Sequence, residues 1–144
     1  MKIPIASDHA GFRLKKIIID NFKDISFDDC GTNSEESVDY PDYISRVAEQ
    51  VENGDVEKGI VICGSGIGAS IVANKYKNVR ASLCFNEYMA EMTRRHNDSN
   101  ILALGARIIG DDLALAIVDR WLKTSFDGGR HQKRIDKISC IEGG

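Results

Sequence analysis

The run Val61-Ile62-Cys63-Gly64-Ser65-Gly66-Ile67-Gly68-Ala69-Ser70 holds the strongest chemical signal in the sequence, a hydrophobic strand that enters glycines and then a helix. Glycines there let the backbone turn tightly and aim N–H groups outward, and the start of the helix adds positive potential. Such a loop suits a phosphate or a developing oxyanion. Cys63 closes the strand just before it. A thiol among oriented N–H groups at a helix start gives up its proton more readily than a free one, so Cys63 is a candidate base. The structural alternatives are a bare strand-to-helix turn and a small core cysteine. Gly64 to Gly68 tip the reading toward chemistry, whereas Cys30, Cys84 and Cys140 lack such a setting and are read as structural.

Asp8-His9-Ala10-Gly11 ends the first expected strand. In open α/β sheets ligands settle beyond the carboxyl ends of strands where the winding reverses, so Asp8 and His9 are expected beside Cys63. The alternative is a helix-capping aspartate with a solvent-facing histidine. His96 and Asn97 end a helix containing Arg94 and Arg95. A histidine there complements the negative helix end, and its chemistry also suits proton transfer to a sugar ring oxygen. Arg130 and Arg134, four apart on a helix, share a face that can grip one phosphate or simply face water. Arg107 after the fifth strand is equally undecided.

Positioning these groups requires alternating strands and helices, and the sequence alternates throughout. Strands are expected at residues 3–6, 25–28, 59–63, 79–84 and 101–104, and helices at 12–22, 41–53, 68–75, 87–95, 111–123 and from about 130 to 140. Ile44, Val47, Ala48 and Val51 give the second helix one apolar stripe, and Pro41 suits its first turn. The pattern implies one domain over residues 1–144, a three-layer α/β/α sandwich with a five-stranded parallel Rossmann-like sheet. The third strand is the most hydrophobic and so is expected at the centre. Pro4 removes a ladder hydrogen bond and is expected near the start of its strand or at a bulge.

Composition excludes several classes. A net charge of −3 opposes nucleic-acid binding. No segment reaches a membrane-spanning length, and Met1 to Asp8 is too short for a signal peptide. Four cysteines without paired or zinc-ligand spacing point to free thiols in a reducing, cytoplasmic setting. G-x-G-x-G after the third strand is a poor dinucleotide fingerprint, although Glu87 stands where a ribose-binding acid would.

Taken in order, Asp8-His9-Ala10-Gly11, Tyr40-Pro41-Asp42-Tyr43, Cys63-Gly64-Ser65-Gly66-Ile67-Gly68, Ala73-Asn74-Lys75, His96-Asn97-Asp98 and Gly128-Gly129-Arg130-His131-Gln132-Lys133-Arg134 resemble the ribose-5-phosphate isomerase B family across the chain. The resemblance implies a homodimer or dimer of dimers with the site at the subunit interface. It also implies no metal or cofactor, and reversible conversion of ribose 5-phosphate to ribulose 5-phosphate. It makes Cys63 the base between carbons 2 and 1, with Ser65 and the N–H groups of Gly66, Ile67 and Gly68 on the enediolate oxygens. Asp8 and His96 resemble the ring-opening pair, and Tyr40 and Gly64 resemble substrate contacts. His9, Arg107, Arg130 and Arg134 match phosphate-binding positions. His96, Asn97 and Arg107 are expected to arrive from a partner subunit. Some relatives carry a glutamate base where this chain has Ala69, so Cys63 with Ala69 resembles the thiol-base subgroup. A hexose 6-phosphate isomerase and a non-catalytic phosphometabolite-binding module are the alternatives; a dehydrogenase is the most distant.

Overall fold

The computed structural model describes residues 2–143; Met1 and Gly144, the ends of the expected domain span, lie outside the described residues. Five strands, β1 (Lys2–Ser7), β2 (Ser26–Asp29), β3 (Gly59–Cys63), β4 (Ala81–Leu83) and β5 (Ile101–Gly105), form one sheet in the order β2-β1-β3-β5-β4. Every pairing is parallel, and β3 is central. The helices are α1 (Phe12–Asn21), α2 (Tyr40–Glu52), α3 (Ile67–Ala73), α4 (Glu87–Asn97), α5 (Asp111–Lys123) and α6 (Arg130–Ile141).

Strand alternation divides the core in two. Ile3, Ile5, Ile60, Ile62, Leu102 and Leu104 face Leu14 and Ile18 of α1 and Ile117, Val118 and Trp121 of α5. Ala6, Val61, Cys63, Ile101 and Ala103 face Ile44, Val47, Ala48 and Val51 of α2 and Ala69 and Ala73 of α3. A strand covered on both faces must be apolar at successive positions, which is why β3 and β5 are buried throughout. β4 is only half-buried and lies at an edge. It is shorter than expected because local contacts replace the ladder before Ala81. The Val79 N–H donates to Tyr76 O, and the Arg80 N–H donates to the Asn100 side chain at 2.7 Å.

Pro4 is the third residue of β1. The Ser7 N–H donates toward β2, to Gly31 O, and the Asp8 N–H toward β3, to Ile62 O. Alternation therefore turns the Pro4 nitrogen toward β3, whose pairing with β1 begins one residue later, at Ile5 and Ile60. Pro4 costs no ladder bond there.

The winding reverses between β1 and β3. A crevice at their carboxyl ends follows from that topology.

Candidate active site

Cys63 ends β3 on the α2/α3 side of the sheet, 5% exposed, and its sulfur accepts a hydrogen bond from the Gly66 N–H at 3.2 Å. The Ser65 hydroxyl accepts from the Ile67 N–H at 3.1 Å, which leaves its own O–H as a donor. Two of the three amides expected to face an oxyanion are thus engaged inside the loop. Gly68 lines the cleft, and among the described residues its N–H has no acceptor. The turn itself requires Gly66. Its φ is +79°, and a Cβ there would stand 2.4 Å from Leu83 Cδ1 and 2.8 Å from the Leu104 carbonyl carbon.

The β1–β3 register ends with Ser7 opposite Ile62, so the next residues, Asp8 and Cys63, stand side by side. Asp8 is 7% exposed, and its Oδ1 accepts the Gly11 N–H at 3.1 Å. It therefore orders the entry to α1 and lines the cleft at once. His9 Nδ1 accepts the Val38 N–H at 3.2 Å, which ties the loop before α2 to β1 and leaves Nε2 to carry the ring proton. Tyr40 begins α2 and lies against Gly68, where a Cβ would come within 2.6 Å of its ring. Arg107, expected from a partner subunit, lines the cleft of its own chain. Its N–H donates to Gly64 O at 2.9 Å, because β5 pairs with β3 and carries the residue back over the loop.

Together Asp8, Tyr40, Cys63, Gly64, Ser65 and Arg107 enclose a cleft of about 610 Å³ with Ile67 and Gly68. That volume admits a five- or six-carbon sugar phosphate and does not separate the two.

His9, expected beside Cys63, is not among the residues lining this cleft, and neither are Gly66, His96, Asn97, Arg130 and Arg134. Helix α4 runs back from the carboxyl edge of the sheet, so His96 and Asn97 lie toward the opposite edge. His96 stacks on His131 of α6 at 4.3 Å between ring centres, and Arg130 and Arg134 are exposed on the same helix. Burial, then the positive neighbours His96, Arg130 and Arg134, push the His131 pKa below the usual histidine range, opposed by Asp127. Ligand atoms of His96, Asp127 and His131 lie within 4.8 Å of one another. Arg95 already holds Asp127 at 3.2 Å, and nearly parallel rings do not converge on one ion, so the locus suits an anion better than a metal.

All four cysteines are free. Burial pushes the Cys84 thiol up to about 12 and the Cys30 thiol up to about 11, the latter with help from Asp28. Among the described residues no helix is long and apolar enough to cross a membrane.

A family model described as Ribose/Galactose Isomerase matches residues 3–138. The chain belongs to the ribose/galactose isomerase family. Ribose-5-phosphate isomerase B of Escherichia coli K12 is 47% identical over 98% of this chain and 96% of its own length. The solved ribose-5-phosphate isomerase B of Clostridium thermocellum superposes with a TM-score of 0.97 at 56% identity, covering 99% of this chain and 98% of the other. That of Mycoplasma genitalium, solved with bound ribulose 5-phosphate, gives 0.94 at 44% identity over 99% and 96%.

This ribose/galactose isomerase cleft is also lined by Ile71 and Ile108, which stand in none of the sequence motifs. Ile67 and Ile71 are 53% and 56% exposed on α3, and Ile108 is 58% exposed. An apolar pair at i and i+4 beside the glycine loop was the available signal.

Proposed function

We propose that this chain is an aldose–ketose isomerase that interconverts D-ribose 5-phosphate and D-ribulose 5-phosphate through an enediolate, with Cys63 as the base. The observation that carries the reading is that Cys63, its sulfur held by the Gly66 N–H, lines one cleft with Asp8, Ser65 and Gly68. For the closed sugar, Asp8 takes the proton of the carbon-1 hydroxyl while His96 protonates the ring oxygen, and the ring opens to an aldehyde. The Cys63 thiolate then removes the carbon-2 proton. The electrons of that C–H bond form the C1=C2 double bond, and those of the carbonyl move onto oxygen 1. The Ser65 O–H and Gly68 N–H hold the oxygens as charge develops, a role worth about 2.7–4 kcal/mol per donor. Transfer of the oxygen-2 proton to oxygen 1, and of the thiol proton to carbon 1, completes the ketose and restores the thiolate.

The cleft of one chain lacks the proposed ring-opening histidine and the Arg130/Arg134 pair. A second copy supplies them with Asn97, and the subunits form a homodimer or a dimer of dimers. The exposed Ile67, Ile71 and Ile108 on the cleft rim fit such a contact. One domain of 1–144 contributes half of each site, working in a reducing cytoplasm that keeps the thiol free.

Turnover of ribose 5-phosphate beside allose and galactose 6-phosphates, in chelator-treated buffer, tests the assignment. Conversion of a hexose phosphate alone overturns the pentose reading. Metal dependence, or full activity of Cys63→Ala, overturns the mechanism.

A further inference from the structure

We propose that Lys15, which lies outside the cleft, is a positioning residue for Asp8. Lys15 is 0% exposed, and its ammonium donates to Asp29 Oδ1 at 2.5 Å and to Thr32 O at 2.6 Å. Asp29 Oδ1 also accepts the Gly31 N–H at 3.0 Å. The turn so held grips both backbone groups of Ser7, the residue before Asp8. The Ser7 N–H donates to Gly31 O and the Thr32 N–H donates to Ser7 O, each at 2.8 Å. On the other flank, the Gly11 N–H that holds the Asp8 carboxylate belongs to the residue whose carbonyl accepts the Lys15 N–H at 2.9 Å. One lysine therefore fixes Asp8 from both sides, by its side chain through the β2 turn and by its main chain through α1.

Stability alone is a poor reason for this arrangement. Burying an ammonium costs desolvation that its partners often only offset, and an apolar side chain of similar length frequently does as well. What an apolar chain cannot do is bridge a carboxylate on one strand end and a carbonyl in the following turn. Cys63, by contrast, is oriented by β3 and by the Gly66 N–H, and none of the contacts just described reaches it. Loss of Lys15 disturbs the carboxylate and spares the sulfur.

This inference rests on the reading of Asp8 as a ring-opening group, and two rates separate the steps. Net isomerisation of ribose 5-phosphate starts from a closed ring and needs Asp8. Exchange of solvent deuterium into carbon 1 of ribulose 5-phosphate needs only the base, because a ketopentose whose 5-hydroxyl is phosphorylated has no hydroxyl placed to close a furanose ring. For Lys15→Met the first rate falls about 10- to 100-fold, the scale of a misplaced catalytic group, while the second stays within about twofold of wild type. Asp29→Ala, which cuts the same tie from a partly exposed partner, gives the same split and decides the matter if Lys15→Met does not fold. Equal loss of both rates, or loss of neither, overturns the positioning role. Asp8→Asn is the parallel control. A split in that variant without one in the Lys15 or Asp29 variants refutes the present proposal alone. Equal loss of both rates in Asp8→Asn refutes the ring-opening role of Asp8 and the role of Lys15 with it.

Discussion

Four thiols in one small chain have different fates, and their surroundings account for each. Cys84 and Cys30 are held protonated by burial, and Cys140 sits exposed on α6 with no catalytic neighbour. Only Cys63 ends a central strand at a cleft with an amide aimed at its sulfur. Cys63→Ala is expected to lower turnover by at least the roughly 10²–10⁴-fold contributed by a positioned base, while calorimetry still detects sugar-phosphate binding. In a Cys140→Ser background, an alkylating reagent should mark one thiol that substrate protects, read by peptide mass. His131 makes a pH prediction. Its pKa lies below that of an unfolded histidine, so between the two values the unfolded chain holds more protons and stability falls as pH falls. Melting temperature should drop from about pH 7 to pH 5, and His131→Gln should flatten that slope.

At the scale of elements, the positions of the strands and helices were legible, since β3 and α5 fall where periodicity puts them, but the pairing of β1 with β3 came only with the fold. The position of β5 between β3 and β4 was not inferred. It follows from burial: Ile101–Gly105 is apolar throughout and suits an interior strand, whereas Ala81–Leu83 is half-buried. Sequence could place Gly68 in an anion loop but not beneath the Tyr40 ring, which belongs to a helix far along the chain. Gly68→Ala pushes that ring aside, and KM should rise on the order of tenfold, the ~1–3 kcal/mol of an overpacked contact, with a smaller change in kcat. Asn74 had no role before the fold was known. Its side chain donates to Ala81 O at 3.0 Å and accepts the Ala81 N–H at 2.8 Å, satisfying the outward backbone of edge strand β4. Asn74→Ala should cost about 1–3 kcal/mol in urea unfolding with KM little changed.

For the whole molecule, the proposed catalytic inventory is split between a cleft at the carboxyl edge and a cationic locus built by α4 and α6. Each half was readable as residue types, but no periodicity says which residues act across a subunit boundary, and Arg107 also lines the cleft of its own chain. Mixing inactive Cys63→Ala and His96→Asn chains tests the split. In a symmetric dimer every mixed pair holds one intact site, so activity should return to about a quarter of wild type. A mixture as inactive as its parents would mean that each chain completes its own centre.

The amide clasp of Asn74 on Ala81 also limits how two chains can join. An incoming strand would find the first outward donor and acceptor of β4 already occupied, on a ribbon only three residues long. Continuing the sheet from one molecule into the next through β4 is blocked, so a mate meeting that edge has side chains, and not a backbone ladder, to recognise.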